Sequence, residues 1–190
     1  MKTIASYIIF GTMALTVASC SDGWLDVEPS TAVETDKSIN ELSDVNIMLN
    51  GIYTTMQDAY AYSGRLVYYG DACGDDMMAY SSTKRTGNYY TFNFTKDTAP
   101  STFWSYPYKM IGLCNIILAK IDNLETKETE LRDYYKGQAL ALRAMLLFDL
   151  TKFYGYPYKK DNGASLAVPI VTTVLDKEAN PKRNTVAECY

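Results

Sequence analysis

Gly137-Gln138-Ala139-Leu140-Ala141-Leu142-Arg143-Ala144-Met145-Leu146-Leu147-Phe148 holds no proline and is dense in alanine, leucine and methionine. These are the strongest helix formers. The stretch is apolar nearly all round, and a helix of that kind is packed between other helices rather than laid on a surface. Reading toward the C-terminus, the pattern stops at Tyr154-Gly155-Tyr156-Pro157, where glycine tolerates the turn and proline cannot extend the helix. Reading back, it reaches about Lys127. This predicts a helix over 127–154. Upstream, Trp104, Tyr108, Ile111, Asn115 and Leu118 recur at three- and four-residue steps, which predicts a second helix over 103–122. The short link makes the two antiparallel neighbours. Ser38 and Glu41 have the spacing of a capping box, and Ile39, Leu42, Val45, Leu49, Ile52, Tyr53, Met56 and Tyr60 form one apolar stripe, so a first helix is expected over 38–60. The fold class is mainly α.

Residues 61–102 show no sustained period. Gly64, Gly70, Gly74, Gly87 and Pro100 punctuate them, and Tyr62, Tyr68, Tyr69, Tyr80, Tyr89 and Tyr90 stud them. They read as a long aromatic-rich loop region, a feature that is usually functional or disordered, and the aromatic content argues against disorder. Beyond the third helix come a turn at Asp161-Asn162-Gly163 and an extended stretch over 166–171. A second capping box, Thr185 to Glu188, then opens a helix two residues before the sequence stops. The expectation is a front part of a longer protein, with an apolar face of the third helix left to solvent.

Composition narrows the chemistry. Histidine is absent, which removes His-based triads, the commonest general base and most zinc sites. The net charge of −4 argues against nucleic-acid binding, which rests on clustered positive charge. Cys73, Cys114 and Cys189 are widely spaced and give neither a disulfide framework nor a metal motif. Tyrosine is the outlier, at 17 of 190 residues, and tyrosine is the side chain with an apolar body and a polar tip.

The N-terminus reads as an export signal. Met1-Lys2 is followed by an uncharged run from Ile4 to Val17, too short for a permanent transmembrane helix. Val17-Ala18-Ser19-Cys20 resembles the lipobox of bacterial lipoproteins, in which a cysteine receives diacylglycerol before the signal is removed. Residues 1–19 are then the signal peptide, 20–36 a lipid-anchored tether in which Trp24 and Leu25 are expected to dock on the body, and 37–190 the helical domain. The competing reading is an ordinary secretory signal beside a chance cysteine.

Several pieces occur together and in order. They are Cys20 with Trp24-Leu25-Asp26 and Pro29, then Asn50-Gly51-Ile52-Tyr53, Asp75-Asp76, and Trp104, Tyr108, Ile111 and Asn115. After these come Gly137-Gln138-Ala139 with Arg143-Ala144, Phe148 and Leu150, then Tyr154-Gly155 with Pro157, Val168-Pro169-Ile170 and Arg183-Asn184-Thr185-Val186. In this the chain resembles the N-terminal region of SusD/RagB-type outer-membrane nutrient-uptake lipoproteins. The resemblance implies a TPR-like helical scaffold at the outer surface of the outer membrane. It implies a partner, a SusC-like TonB-dependent transporter, and a ligand, an oligosaccharide or polysaccharide. It implies no catalysis and no cofactor. A lipid-anchored glycan-processing enzyme and a surface adhesin are the alternatives.

Candidate ligand contacts are Tyr80, Arg85, Asn88, Tyr89 and Tyr90, as stacking faces and hydrogen-bond donors for a sugar. The competing use of each tyrosine is packing the loop onto the helices. Trp104, Asn115 and Arg143 are read as structural: a guanidinium inside an apolar helix needs partners, and an ion pair or carbonyl clamp between helices is preferred to a ligand contact. Asp71, Asp75 and Asp76 form a carboxylate cluster without EF-hand spacing, and no metal or catalytic role is assigned to it.

Overall fold

The third predicted helix is the longest element of the computed structural model, which describes residues 38–80, 86–95, 100–176 and 178–190. The elements are α1 (Leu42–Met56), α2 (Arg65–Cys73), α3 (Gly87–Tyr90), α4 (Thr102–Lys120), α5 (Thr129–Tyr154) and α6 (Val186–Cys189). Short 3₁₀ turns follow α4 at Ile121–Asn123 and α5 at Tyr158–Lys160. The fold is mainly helical, as the periodicity implies. The signal, the tether with Cys20, Trp24 and Leu25, and Arg85 lie outside the described residues.

α4 and α5 are antiparallel, and their cross-links read off the register. Asp122 pairs with Lys136 (2.6 Å), Asn115 accepts from Arg143 (2.9 Å), and Trp104 meets Tyr154 (5.0 Å between ring centroids), one number falling as the other rises. α1 packs against both helices. The core is the meeting of three stripes: Val45, Leu49 and Ile52 from α1; Met110, Ile111, Cys114 and Ile117 from α4; Ala139, Leu142, Leu146 and Leu150 from α5. The opposite side of α5 carries Leu140, Met145 and Phe148, which are 42%, 36% and 41% exposed, with the Tyr190 ring against Phe148 (5.4 Å), so a second apolar side of this helix is partly open.

α1 begins later than the Ser38–Glu41 spacing predicts and ends at Met56 instead of residue 60. Glu41 is extended (φ −145°, ψ 171°) and serves as the N-cap. The box is one turn further on, where Asp44 Oδ2 accepts from the main-chain N–H groups of Asn40 (2.8 Å) and Glu41 (3.1 Å). The aspartate side chain thus reaches back to main-chain donors at the helix start.

The supposed loop contains a helix. Gly64 is the N-cap of α2, and a Cβ there would meet the Ala59 carbonyl oxygen at 2.3 Å, so only glycine permits the chain to close on itself there. Only Leu66 and Ala72 of α2 are fully buried, too few for a legible stripe. The helix is held instead by Tyr69, whose ring contacts reach α3, α4 and α5.

After α5 the chain turns at Asn162 (φ 56°) and Gly163 (φ 79°), the left-handed backbone that Asn-Gly favours. The extended stretch then runs beside residues 183–185. Ala167 donates to the Asn184 carbonyl (2.7 Å), Asn184 donates to Val168 (3.1 Å), and Arg183 binds the carbonyls of Leu166 and Ala167. The Thr185–Glu188 capping box forms as read, with Glu188 Oε2 accepting from the Thr185 N–H at 2.7 Å. Among the described residues no helix is long and apolar enough to cross a membrane.

Candidate functional site

Tyr69 is the hub of an aromatic cluster that supports the tyrosine-rich region. Its ring lies 5.2 Å from Tyr89, 5.2 Å from Phe103, 5.4 Å from Phe153 and 6.3 Å from Phe94. Three of these contacts are edge-to-face, the arrangement that ring quadrupoles favour. Burial, and then the neighbouring Cys73, push the Tyr69 hydroxyl up to about 12. Burial also raises Tyr89, against the opposing pull of the nearby Arg65 guanidinium. Tyr89 is 3% exposed and so sits inside this cluster, whereas Tyr90, next to it on α3, is 40% exposed.

The outward face is open and soft. Tyr80 is fully exposed, Met78 is 81% exposed, and Met77 and Tyr90 are about half uncovered (45% and 40%). Between α2 and α3, Met77, Met78 and Tyr90 border a hollow of about 140 Å³, lined by Tyr68, Ala72, Met77, Met78, Ala79, Thr86 and Tyr90. Of the five residues picked as ligand contacts, Tyr90 lines the hollow, Tyr80 follows it directly in sequence, Asn88 is half-buried on α3 and Tyr89 is packed beneath. Arg85 falls outside the described residues. Tyr68, Met77, Met78 and Thr86 also line the hollow, beyond the residues that sequence reasoning points to. The adjacent methionines in a polar stretch were the available signal, since exposed Met is a soft contact surface. Asp71, Asp75 and Asp76 are exposed, and among the described residues no group of acidic or cysteine side chains is placed to hold a metal.

A second concavity, about 540 Å³, runs along α4 past Trp104, Tyr108, Lys109, Gly112 and Ile116 to Val174 on the facing segment. Its walls are largely aliphatic and aromatic. Lys109 and Asn180 are the polar side chains on its lining, beside the rings of Trp104 and Tyr108. The segment forming its far wall is clamped to the helices. Tyr108 donates to the Pro169 carbonyl (2.8 Å), Asn115 Nδ2 donates to Val171 (3.1 Å) and Thr173 (3.0 Å), and Arg143 donates to Asn115 Oδ1 (2.9 Å) and to Thr172 (3.2 Å). Asn115 is 1% exposed, so the amide spends both its ends inside the protein. Trp104 packs on Tyr108 (4.9 Å) as well as Tyr154.

A further polar lock joins the turn after α1 to α5. Tyr62 donates to Asp149 Oδ2 at 2.6 Å, and Lys152 pairs with the other oxygen at 2.7 Å. Burial first, then this bond, raises the Tyr62 hydroxyl well above its ordinary value. Cys73, Cys114 and Cys189 are free thiols.

A model of a SusD-like family, described as starch-binding and associating with the outer membrane, matches residues 23–190. A protein from Bacteroides vulgatus provisionally assigned as sugar-binding is 62% identical to the chain, with a TM-score of 0.77, over 80% of this chain and 35% of its own. A SusD superfamily protein from Bacteroides thetaiotaomicron is 35% identical (TM-score 0.70, 80% and 34% covered). Another from Bacteroides vulgatus is 31% identical (TM-score 0.75, 80% and 35% covered). The chain thus spans about a third of the length of these solved proteins. No curated protein matches it.

Proposed function

The chain belongs to the SusD-like family, and on that premise we propose that it is a lipid-anchored outer-membrane protein that binds glycans without altering them and passes them to a SusC-like TonB-dependent transporter. Residues 1–19 act as the signal, Cys20 carries the lipid, residues 20–36 are the tether and 37–190 contribute scaffold and ligand surface. The observation that carries the binding reading is the exposed ring of Tyr90 on the rim of a hollow, next in α3 to Tyr89 of the buried aromatic cluster, with the exposed Tyr80 one residue beyond the lining residue Ala79. Aromatic rings offer flat platforms to the C–H faces of sugars, and the hydroxyl tips supply hydrogen bonds. A rigid base beneath such rings lowers the ordering cost of binding.

The test is affinity electrophoresis of the full chain through a polysaccharide panel, beside a hydrolysis assay on the same panel. Retention by at least one polysaccharide is expected, weakened by at least tenfold in the Tyr80→Ala/Tyr90→Ala double variant, with no products released. Release of shortened glycans would establish the enzyme reading instead. The anchor is tested separately by labelling with a radioactive fatty acid: Cys20→Ala should lose both the label and sedimentation with the outer membrane, and a labelled mutant would refute it.

A further inference from the structure

We propose that the hollow between α2 and α3 is a subsite for an acetamido group, so that the glycans held here carry N-acetylhexosamine residues. The inference rests on the glycan-binding reading and specifies its ligand class. At about 140 Å³ the hollow is smaller than a typical small-molecule pocket, so it accepts a substituent while the sugar ring lies outside it. The ring then meets Tyr90 at the edge, with the exposed Tyr80 one residue past the lining residue Ala79.

The lining divides into two chemistries. Ala72, only 4% exposed, gives an apolar floor, and the more exposed Met77, Met78 and Ala79 give apolar walls. A sugar hydroxyl pressed onto that floor would be stripped of water and left unpaired. A methyl group has no such penalty, and methionine adapts to its shape. The other chemistry comes from the hydroxyls of Tyr68, Thr86 and Tyr90, each of which can donate and accept. None of these three hydroxyls is hydrogen-bonded to another described residue. An acetamido group presents the matching set: a methyl for the floor, a carbonyl oxygen to accept from one hydroxyl and an N–H to donate to another. A plain hydroxyl at the same carbon satisfies only the polar half. A site with unspent polar groups discriminates strongly against a ligand that leaves them unpaired.

The experiment uses sugar pairs that differ only at C2. The full chain in detergent is titrated calorimetrically with glycan-bearing polymers displaying N-acetylglucosamine or glucose, and N-acetylgalactosamine or galactose. At least one acetylated member should bind tenfold or more tightly than its hydroxyl partner. Thr86→Val, which keeps shape and removes the hydroxyl, should reduce that ratio to threefold or less. Ala79→Leu, which fills the hollow, should erase it. Both variants should keep the parent melting temperature, and Thr86→Val carries the test if Ala79→Leu does not fold. Equal binding within every pair would overturn the subsite and leave glycan binding standing. Binding to neither member of any pair, with retention of other polysaccharides in the electrophoresis panel, would overturn the subsite as well. Loss of all retention would overturn both readings.

Discussion

Tyr80 and Tyr89 sit in the same stretch of sequence and do different work. Tyr80 makes its whole ring available to solvent, while Tyr89 is 3% exposed among Tyr69, Phe94 and Phe103. Nothing in composition or spacing separates them, because the distinction comes from α3, a single turn too short to leave a periodic trace. The consequence is a testable contrast. Tyr89→Ala should cost about 3 kcal/mol, the usual range for emptying a buried aromatic site, whereas Tyr80→Ala should change stability by less than about 0.5 kcal/mol. Thermal unfolding measures both, and glycan affinity should respond to Tyr80→Ala. Similar melts for the two variants would show that the ring cluster does not carry α2 and α3. Asn115 is the other residue whose chemistry is concentrated. Replacing it with alanine strips the donor from the Val171 and Thr173 carbonyls and the acceptor from Arg143. Leaving buried polar groups unmet costs about 2 kcal/mol. Limited proteolysis of Asn115→Ala should therefore produce a new early cut within residues 172–181, together with a lower melting temperature. An unchanged cleavage pattern would mean that Tyr108 and Arg143 suffice to hold the segment.

The helices whose burial is continuous were legible as elements, and those held by a few rings were not. α4 and α5 each bury a long run of residues at helical spacing, and their observed limits, Thr102–Lys120 and Thr129–Tyr154, lie within a turn of the periodicity. Arg143 was readable as a residue needing partners, but its acceptors, Asn115 and the Thr172 carbonyl, come from distant chain segments. The start of α1 differs from the Ser38–Glu41 spacing because the box forms between Glu41 and Asp44, and glutamate is not an N-cap residue that sequence singles out. Met77, Met78 and Thr86 entered the candidate site for a similar reason. They meet Tyr68 and Tyr90 through the packing of α2 against α3, and sequence distance hides that meeting. Gly112 carries the prediction that belongs to an element. It lies in the middle of α4, where glycine is less favourable than alanine by about 1 kcal/mol, and a Cβ placed there meets nothing within 4 Å. Gly112→Ala should therefore stabilise the protein by about 1 kcal/mol in chemical denaturation while glycan binding is unchanged. A loss of stability would mean that something occupies the space above α4.

Across the whole molecule, the tyrosine content and the absence of histidine set the response to pH. With no histidine, no side chain has an ordinary pKa near neutrality, so stability should be flat from about pH 6 to 8. Above that range the buried acids take over. Burial raises Cys114 from 9.0 to about 11, and burial with Cys73 raises Tyr69 from 10.0 to about 12. Tyr62, Tyr89, Tyr108 and Tyr154 are shifted in the same direction, each chiefly by burial. A raised folded value means that the folded state keeps its proton after the unfolded chain has lost it. The unfolded state then binds fewer protons, and stability falls as pH rises. For Cys114 the contribution is intact below 9.0 and is lost as pH climbs toward about 11; for Tyr69 the window runs from 10.0 to about 12. Ionising tyrosines also deepen a net charge that is already −4, which adds repulsion to the compact state. Thermal melts followed by circular dichroism should therefore hold a constant midpoint near neutrality and drop progressively above about pH 9. Tyrosinate absorbance at 25 °C should lag behind that of the denatured chain until the protein unfolds, and then rise with unfolding. A midpoint that stays level to about pH 11, or absorbance that follows free tyrosine throughout, would show that these rings are open to water and that the aromatic cluster around Tyr69 does not form.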